Sequence, residues 1–238
     1  MSQLSAWPAS IVVEAAARGL QRVSCAGTQR QDVYGLDSLR EVQLHVHLAE
    51  GLAAAGWGVK REWPYPGAIS KRARHRERER CDFVLLPRPG DTLIDPVAEL
   101  VEHDKGVGTL FENAAPPRSP GQVRPEDAYW LEVKTVGQHT FTDGVPGPNT
   151  AYSSELVRGI AGDLAKLAQE AFVQFGGVLL VHFAEDLRVH EHDLQVAVHR
   201  ALDRGLPIRS PVREWFEIPD RIGNRVCGVA LIEITSVR

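Results

Sequence analysis

The sequence predicts an α/β protein in which a central mixed β-sheet is flanked by helices. Helical periodicity appears near the N-terminus, in the third quarter of the chain and again near the C-terminus. Short apolar runs bounded by Gly and Pro lie between these segments and are typical of strands. A strand–helix–strand order over residues 130–183 predicts a right-handed parallel crossover within the sheet.

Composition bounds the class of protein. The chain has 238 residues, which is enough for one sizeable domain with its own core, and we treat residues 1–238 as a single domain. The formal net charge of -4 does not indicate a nucleic-acid partner, so binding to a phosphate backbone would require a local basic patch.

The cysteines and the apolar segments indicate where the protein works. Cys25, Cys81 and Cys227 are odd in number and widely spaced, so they predict neither a disulfide framework nor a metal pair. The N-terminus lacks the pattern of a secretory signal, and no apolar run reaches the length of a membrane span. We therefore expect a soluble, cytoplasmic protein with no membrane partner.

Two helices are predicted in the first 56 residues. The first covers residues 8–23, with Ser10 as a candidate cap, and is followed by a polar loop over residues 24–35. The second covers residues 37–56, is capped by Asp37 and stops at a glycine.

Polar residues of the second helix have two interpretations each. Glu41 and His45 lie one turn apart on one face. An acid in the first turn commonly interacts with the helix dipole, and the alternative for Glu41 is a place beside a metal ion. His45 and His47 are interpreted as solvated or core histidines rather than as ligands.

The most charged segment of the chain follows a strand predicted over residues 57–65. Residues 71–80 carry seven Lys, Arg or His side chains and two glutamates. This segment, called the basic arm below, is a candidate binding site for a phosphate backbone, and the alternative is a solvated hairpin with internal ion pairs. Its candidate nucleic-acid contacts are Arg72, Arg74, Arg76, Arg78 and Arg80.

Asp82 lies near the start of an otherwise apolar strand, predicted over residues 81–86. Such a run is typical of a central strand buried on both faces, where a carboxylate needs a metal ion, a cation or several donors. A neighbouring arginine is the alternative partner. Residues 87–127 then form an insertion, with a short helix expected around residues 96–103 and an irregular, proline-rich loop over residues 114–125.

The strand predicted over residues 130–136 carries the pair that organises the chemistry. Alternation places Trp130, Glu132 and Lys134 on one face, with the acid and the amine roughly 6–7 Å apart along the strand. One can hold a metal ion while the other holds or activates water. The alternative is an ordinary cross-strand surface pair.

The remainder of the chain continues the alternation of helices and strands. We expect a loop over residues 137–150, a helix over 153–175, a buried strand over 176–183, a helix over 191–204, and a closing hairpin of 215–218 with 226–234. Asp163 and Lys166 lie on the polar side of the 153–175 helix. His182, His190 and His192 form a loose group for which a metal site is the less favoured interpretation.

The order of these elements resembles the PD-(D/E)xK nuclease superfamily, which has the restriction-endonuclease-like fold. The resemblance rests on a helix with Glu41, a strand with Asp82, a strand with Glu132-x-Lys134, and the helix and strand that follow. It covers roughly residues 37–183, with residues 184–238 as a C-terminal elaboration of a helix and a β-hairpin. Two departures are Cys81, where the motif has Pro, and the long insertion between the two strands.

The resemblance implies a set of roles at the site. Asp82, Glu132 and the backbone carbonyl of Val133 would bind Mg²⁺, for which Mn²⁺ would substitute; hard oxygen ligands suit such an ion. Glu41 would hold a bound water or a second ion. Lys134 would orient or deprotonate the attacking water.

The function implied is hydrolysis of DNA phosphodiester bonds by a metal-dependent endonuclease of a restriction, defence or repair type. Duplex or branched DNA is the expected substrate and RNA the alternative, and Lys166 would join the arginine arm in contacting it. The oligomeric state is left open, although a homodimer would allow both strands to be cut. The competing hypothesis is a non-catalytic module of the same fold that binds a partner within a larger nucleic-acid-processing or defence assembly.

Overall fold

The computed structural model describes residues 7–67, 79–96, 119–142 and 144–235. Its long helices are α1 (Ala9–Gln29), α2 (Glu41–Ala54), α3 (Ile160–Gln169) and α4 (Leu187–Asp203). Its strands are β1 (Gly58–Pro64), β2 (Arg80–Leu86), β3 (Thr92–Leu93), β4 (Gln122–Val123), β5 (Tyr129–Gly137), β6 (His139–Thr142), β7 (Val145–Pro148), β8 (Phe175–Ala184), β9 (Val212–Glu217) and β10 (Val226–Glu233).

Six strands form the central sheet in the order β1-β2-β5-β8-β10-β9. β5 and β8 run parallel, and the other neighbouring pairs run antiparallel. The predicted α/β class, with a central mixed sheet flanked by helices, is therefore confirmed. The strand–helix–strand unit is confirmed as well, because the chain passes through α3 between the two parallel strands.

The sheet has a core on each face. Side chains alternate along β5, so Leu131 packs with α1 and α2 on one face and Trp130 packs with α3 and α4 on the other. α2 and α3 thus approach β5 from opposite faces, and each brings polar residues to the same end of the strand.

The C-terminal hairpin belongs to this sheet. β10 lies between β8 and β9 and pairs with both of them in antiparallel registers. The hairpin predicted for residues 215–218 and 226–234 is confirmed, and it completes the sheet instead of standing beside it.

The N-terminal boundaries differ from those predicted. α1 continues to Gln29, through six residues expected to be loop, and ends where Gln31 adopts a left-handed φ of 58°. Ser10 does not cap it, because Pro8 occupies the cap position. Asp37 does not cap α2 either: its Oδ2 accepts an N–H of Asn224 at 2.9 Å, so the side chain is committed to a contact far along the chain.

Later boundaries also differ from those predicted, and here the reasons are local. The expected loop over residues 137–150 contains the β6–β7 hairpin, which turns near Gly144 at a positive φ of 81°. The helix expected to reach residue 175 ends at Gln169, where Glu170 becomes extended. α4 starts before the predicted residue 191, because the Asp186 carboxylate accepts the N–H of Val189 and caps it.

Some sequence expectations lie outside the described residues. These are Arg72, Arg74, Arg76 and Arg78 of the basic arm, and nearly all of the short helix expected around residues 96–103. Within the insertion, the described ends pair as the short parallel strands β3 and β4. Among the helices of the described ranges, none has the length and apolar character needed to cross a lipid bilayer.

Candidate functional site

The site begins where β2 and β5 separate. Their antiparallel ladder pairs Phe83 with Leu131 and continues to Leu85. One further step in that register places Asp82 opposite Glu132. Backbone pairing ends here and a side-chain contact replaces it: Oδ2 of Asp82 accepts the backbone N–H of Val133 at 2.7 Å. The two acids expected to converge are thus neighbours across the gap.

Glu41 reaches the same edge of β5 from α2. Its Oε2 accepts the N–H of Thr135 at 2.8 Å, two residues beyond the contact made by Asp82. In an antiparallel strand the N–H and C=O of one residue point toward the same neighbour. The carbonyl of Val133 therefore faces the gap on the Asp82 side, which is where the resemblance expects a ligand.

Glu132 is buried on the α3 face and already has two partners. Its Oε1 lies 2.8 Å from Nζ of Lys166 and accepts the hydroxyl of Tyr65. Tyr65 stacks on Trp130 at a centroid distance of 5.6 Å, and the Lys166 ammonium lies 4.8 Å from the Tyr65 ring centroid. Burial raises the pKa of Glu132, while the contacts with Lys166 and Tyr65 act to lower it.

Lys134 lies on the same face and pairs with Asp163 of α3, Nζ to Oδ2, at 3.2 Å. Burial acts to lower the pKa of Lys134, but Asp163, Glu41 and Asp82 outweigh it and hold the pKa above its ordinary value. The side chain is therefore an ammonium ion at neutral pH. Of the two roles expected for it, orienting water suits this charge better than removing a proton.

A helical irregularity lies against Lys134. The chain enters α3 through a π-helical turn, Glu155–Gly159, a feature common at functional sites. A Cβ at Gly159 would lie 3.5 Å from Cδ and Cε of Lys134, so the turn brings the helix backbone into contact with the lysine stem.

The predicted nucleic-acid contacts have two different placements. Lys166 is turned inward on Glu132 and also lies 3.7 Å from Glu79 and 3.5 Å from the carbonyl of Arg80. Arg80 is exposed, and its guanidinium donates to the carbonyl of Glu62 at 2.9 Å. The described end of the basic arm therefore borders the site, while Lys166 provides a positive charge within it.

His45 and Glu62 lie beside Asp82; the sequence interpretation took His45 for a solvated or core histidine, which its burial bears out, and did not single out Glu62. One ligand atom each from His45, Glu62 and Asp82 lie within 4.8 Å of one another, the only such three-ligand group in the described ranges. Burial lowers the pKa of His45, which keeps the imidazole neutral and able to bind a metal ion. The spacing of Glu41 and His45 was the available signal; Glu62 could be found only from the register of β1 on β2.

The concentration of acids defines what the site can do. Burial raises the pKa of Asp82, and Glu41 and Glu62 raise it further, while Val133 and Glu132 oppose the shift through hydrogen bonds. Acids crowded in this way favour a bound cation, which would lower the cost of keeping them ionised together. The arrangement thus combines hard oxygen ligands, an imidazole and a nearby ammonium ion.

The histidines considered as an alternative metal site lie elsewhere. His182 and His190 are buried with their Nδ1 atoms 2.9 Å apart, while His192 is exposed on α4. The Tyr152 hydroxyl lies 2.7 Å from Nε2 of His182 and donates to Asp193. This is a buried hydrogen-bonded chain and not a three-ligand group.

Comparison with family models, curated proteins and solved structures gave no match for this chain.

Proposed function

We propose that the chain is a metal-dependent nuclease that hydrolyses DNA phosphodiester bonds on a restriction-endonuclease-like fold, with a site of the PD-(D/E)xK type. The observation that carries this proposal is the meeting of Asp82 and Glu132 where β2 leaves β5, with Lys134 on the face that carries Glu132. The topology is consistent with it, because α2 and α3 bring further acids and amines to the same place.

The residues present fit a divalent cation. Asp82, Glu132 and the Val133 carbonyl would hold it, since all three offer oxygen ligands at the gap between the strands. The contacts of Glu132 with Tyr65 and Lys166 both use Oε1, so Oε2 can serve as a metal ligand. A bound Mg²⁺ or Mn²⁺ would polarise a phosphoryl oxygen and supply a nucleophilic water at neutral pH.

The protein groups around that position would divide the remaining work. Lys134, held as an ammonium ion by Asp163, would orient the attacking water and stabilise the negative charge that develops on the phosphate. Lys166 and Tyr65 would fix the orientation of Glu132. Arg80 would contact the substrate backbone, and that contact would be sensitive to salt.

The test is cleavage of labelled DNA by Glu132→Gln beside the parent, with Mg²⁺ or Mn²⁺. Glutamine keeps the shape of the side chain but removes its charge, so we expect a loss of at least about a hundredfold. The matched control is Glu126→Gln, which removes an acid from the turn before β5. Duplex, branched and single-stranded DNA and RNA should all be assayed, because the substrate class is itself part of the proposal. Equal cleavage by Glu132→Gln and parent would contradict the assignment.

A second candidate is a non-catalytic module that binds DNA or a protein partner. One observation favours it: Glu132 and Lys134 are each already paired with a residue of α3, as in a purely structural ion-pair network. This candidate predicts that the folded protein binds no divalent ion in a calorimetric titration, whereas the nuclease proposal predicts binding that depends on Asp82.

A further inference from the structure

We propose that His45, Glu62 and Asp82 form a cation site of their own, with one nitrogen and two carboxylate ligands, that binds Mn²⁺ in preference to Mg²⁺. The proposal deepens the nuclease assignment, because Asp82 would serve both this site and the one it shares with Glu132. The two sites draw on different helices: His45 comes from α2, whereas Glu132 is held by Lys166 of α3.

The distances suit a single ion. The three ligand atoms lie within 4.8 Å of one another. Around an octahedral ion with bonds near 2.1 Å, adjacent ligands are about 3.0 Å apart and opposite ones about 4.2 Å apart. Small side-chain rotations would therefore bring all three into the first coordination sphere.

The buried imidazole supplies a second, independent observation. His45 is 3% exposed, and its Nε2 is buried without a hydrogen-bond partner among the described residues. Its ring packs against Phe83 with a centroid distance of 5.3 Å, which holds it in place. A buried polar atom left without a partner is costly, and a cation bound through Nε2 would supply that partner.

The opposed acids provide a third reason for a cation. β1 pairs Arg61 with Phe83 and Trp63 with Cys81, so the intervening residues Glu62 and Asp82 lie at the same step of the two strands, with a carboxylate oxygen of each within 4.8 Å of the other. Like charges in directly opposed positions destabilise a sheet, and an ion between them reverses that effect. Glu62 is exposed, so the ion would reach the buried imidazole from solvent.

The ligand types determine which ion is preferred. Mg²⁺ favours oxygen ligands and retains its waters, whereas an imidazole with two carboxylates suits Mn²⁺ and later transition metals. Arg61 adjoins the ligand Glu62 on β1 and is exposed, so its positive charge would repel a bound cation. Replacing Arg61 by Gln should therefore tighten cation binding.

The test combines calorimetric titration of the full chain by MnCl₂ and MgCl₂ with pulsed electron paramagnetic resonance of bound Mn²⁺, which detects a directly bonded nitrogen. We expect the parent to bind Mn²⁺ at least about tenfold more tightly than Mg²⁺ and to show nitrogen coupling. His45→Gln should abolish the coupling, and Glu62→Gln should weaken Mn²⁺ binding about tenfold or more while keeping the fold. His47→Gln, on the same helix but outside the group, is the matched control.

The outcomes separate this site from the nuclease proposal. Nitrogen coupling that depends on His45, found without DNA cleavage, would support the cation site and contradict the nuclease function. Cleavage with Mg²⁺, found together with Mn²⁺ that shows no nitrogen coupling, would overturn the cation site and leave the nuclease function standing. Unchanged Mn²⁺ affinity in Glu62→Gln would also overturn it.

Discussion

The Asp82 side chain replaces a backbone hydrogen bond between β2 and β5: its Oδ2 accepts the N–H of Val133 at 2.7 Å. The carboxylate thus provides a hydrogen-bond partner for a β5 backbone N–H at the point where β2 no longer pairs with β5. A polar side chain in this position is needed for structure even if it has no role in chemistry. Experiments on the site must therefore separate the two contributions.

Two replacements of Asp82 make that separation. Asp82→Asn keeps an oxygen for the Val133 N–H, so we expect the free energy of unfolding to change by less than about 1 kcal/mol while DNA cleavage is lost. Asp82→Ala leaves the N–H without its partner and should cost about 1–3 kcal/mol. Urea unfolding and a nuclease assay on the same samples measure both. Equal stability of the two variants would show that the contact with Val133 contributes little.

Lys134 should matter for catalysis more than for substrate binding. Lys134→Met keeps most of the stem that packs against Gly159 but removes the ammonium ion, so we expect turnover to fall about 10²–10³-fold with little change in DNA affinity. Lys60→Met, on β1, is the control for removing one positive charge. A fall in affinity with turnover intact would instead assign Lys134 to DNA binding.

The crossing of α1 and α2 depends on two glycines in contact. A Cβ at Gly51 would lie 2.3 Å from the carbonyl oxygen of Ala15 and 3.1 Å from Cα of Gly19, so Gly51→Ala must force the helices apart. We expect a loss of at least about 2 kcal/mol of stability. A Cβ at Gly162 in α3 would meet nothing within 4 Å. Gly162→Ala should therefore raise the free energy of unfolding by about 0.5–1 kcal/mol, because alanine has a higher helix propensity than glycine.

Thermal and urea unfolding of the two glycine variants test this contrast directly. A neutral Gly51→Ala would mean that α1 and α2 can separate without loss, in which case the position of α2, and with it Glu41 and His45, would be less firmly fixed than the contacts indicate.

The buried histidine pair predicts how stability depends on pH. Burial lowers the pKa of His182 to about 3 and that of His190 to about 4, from an ordinary value of 6.5. Because the folded-state pKa is depressed, each histidine contributes stability above pH 6.5 that is lost as the pH falls toward the folded-state value. Each should add a slope of about 1.4 kcal/mol per pH unit within that window.

His190→Gln should therefore reduce the slope of unfolding free energy against pH below pH 6.5, compared with the parent. His199→Gln, which changes an exposed histidine of the same helix, should leave the slope unchanged. Measuring both against the parent removes the contribution of the other titrating groups, which the three proteins share. A slope unaffected by His190→Gln would show that this histidine titrates normally in the folded protein.

Sequence reasoning located the elements that depend on local patterns. The alternation at Glu132 and Lys134, the apolar run after Asp82 and the stripe of α3 each specify an element without knowledge of its neighbours. Residues whose role depends on register were missed. Glu62 lies on a strand with charges on both sides, and only the pairing of β1 with β2 shows that it faces Asp82.

Long-range partners account for the other differences. Asp37 has the sequence context of a helix cap, yet its partner is Asn224, which lies 187 residues away and cannot be inferred from local pattern. Lys166 has the appearance of a surface contact, but the crossover from β5 through α3 turns it toward Glu132. In both cases tertiary packing, and not local propensity, determines the partner of the side chain.

The most direct measurement of the central claim is anomalous X-ray scattering from crystals grown with Mn²⁺. The proposed function predicts an anomalous peak in the gap between β2 and β5, within about 2.0–2.4 Å of carboxylate oxygens from both Asp82 and Glu132. A well-ordered Mn²⁺-containing crystal whose map shows no peak bonded to both Asp82 and Glu132, with Glu132 still bound to Lys166 and Tyr65, would contradict it.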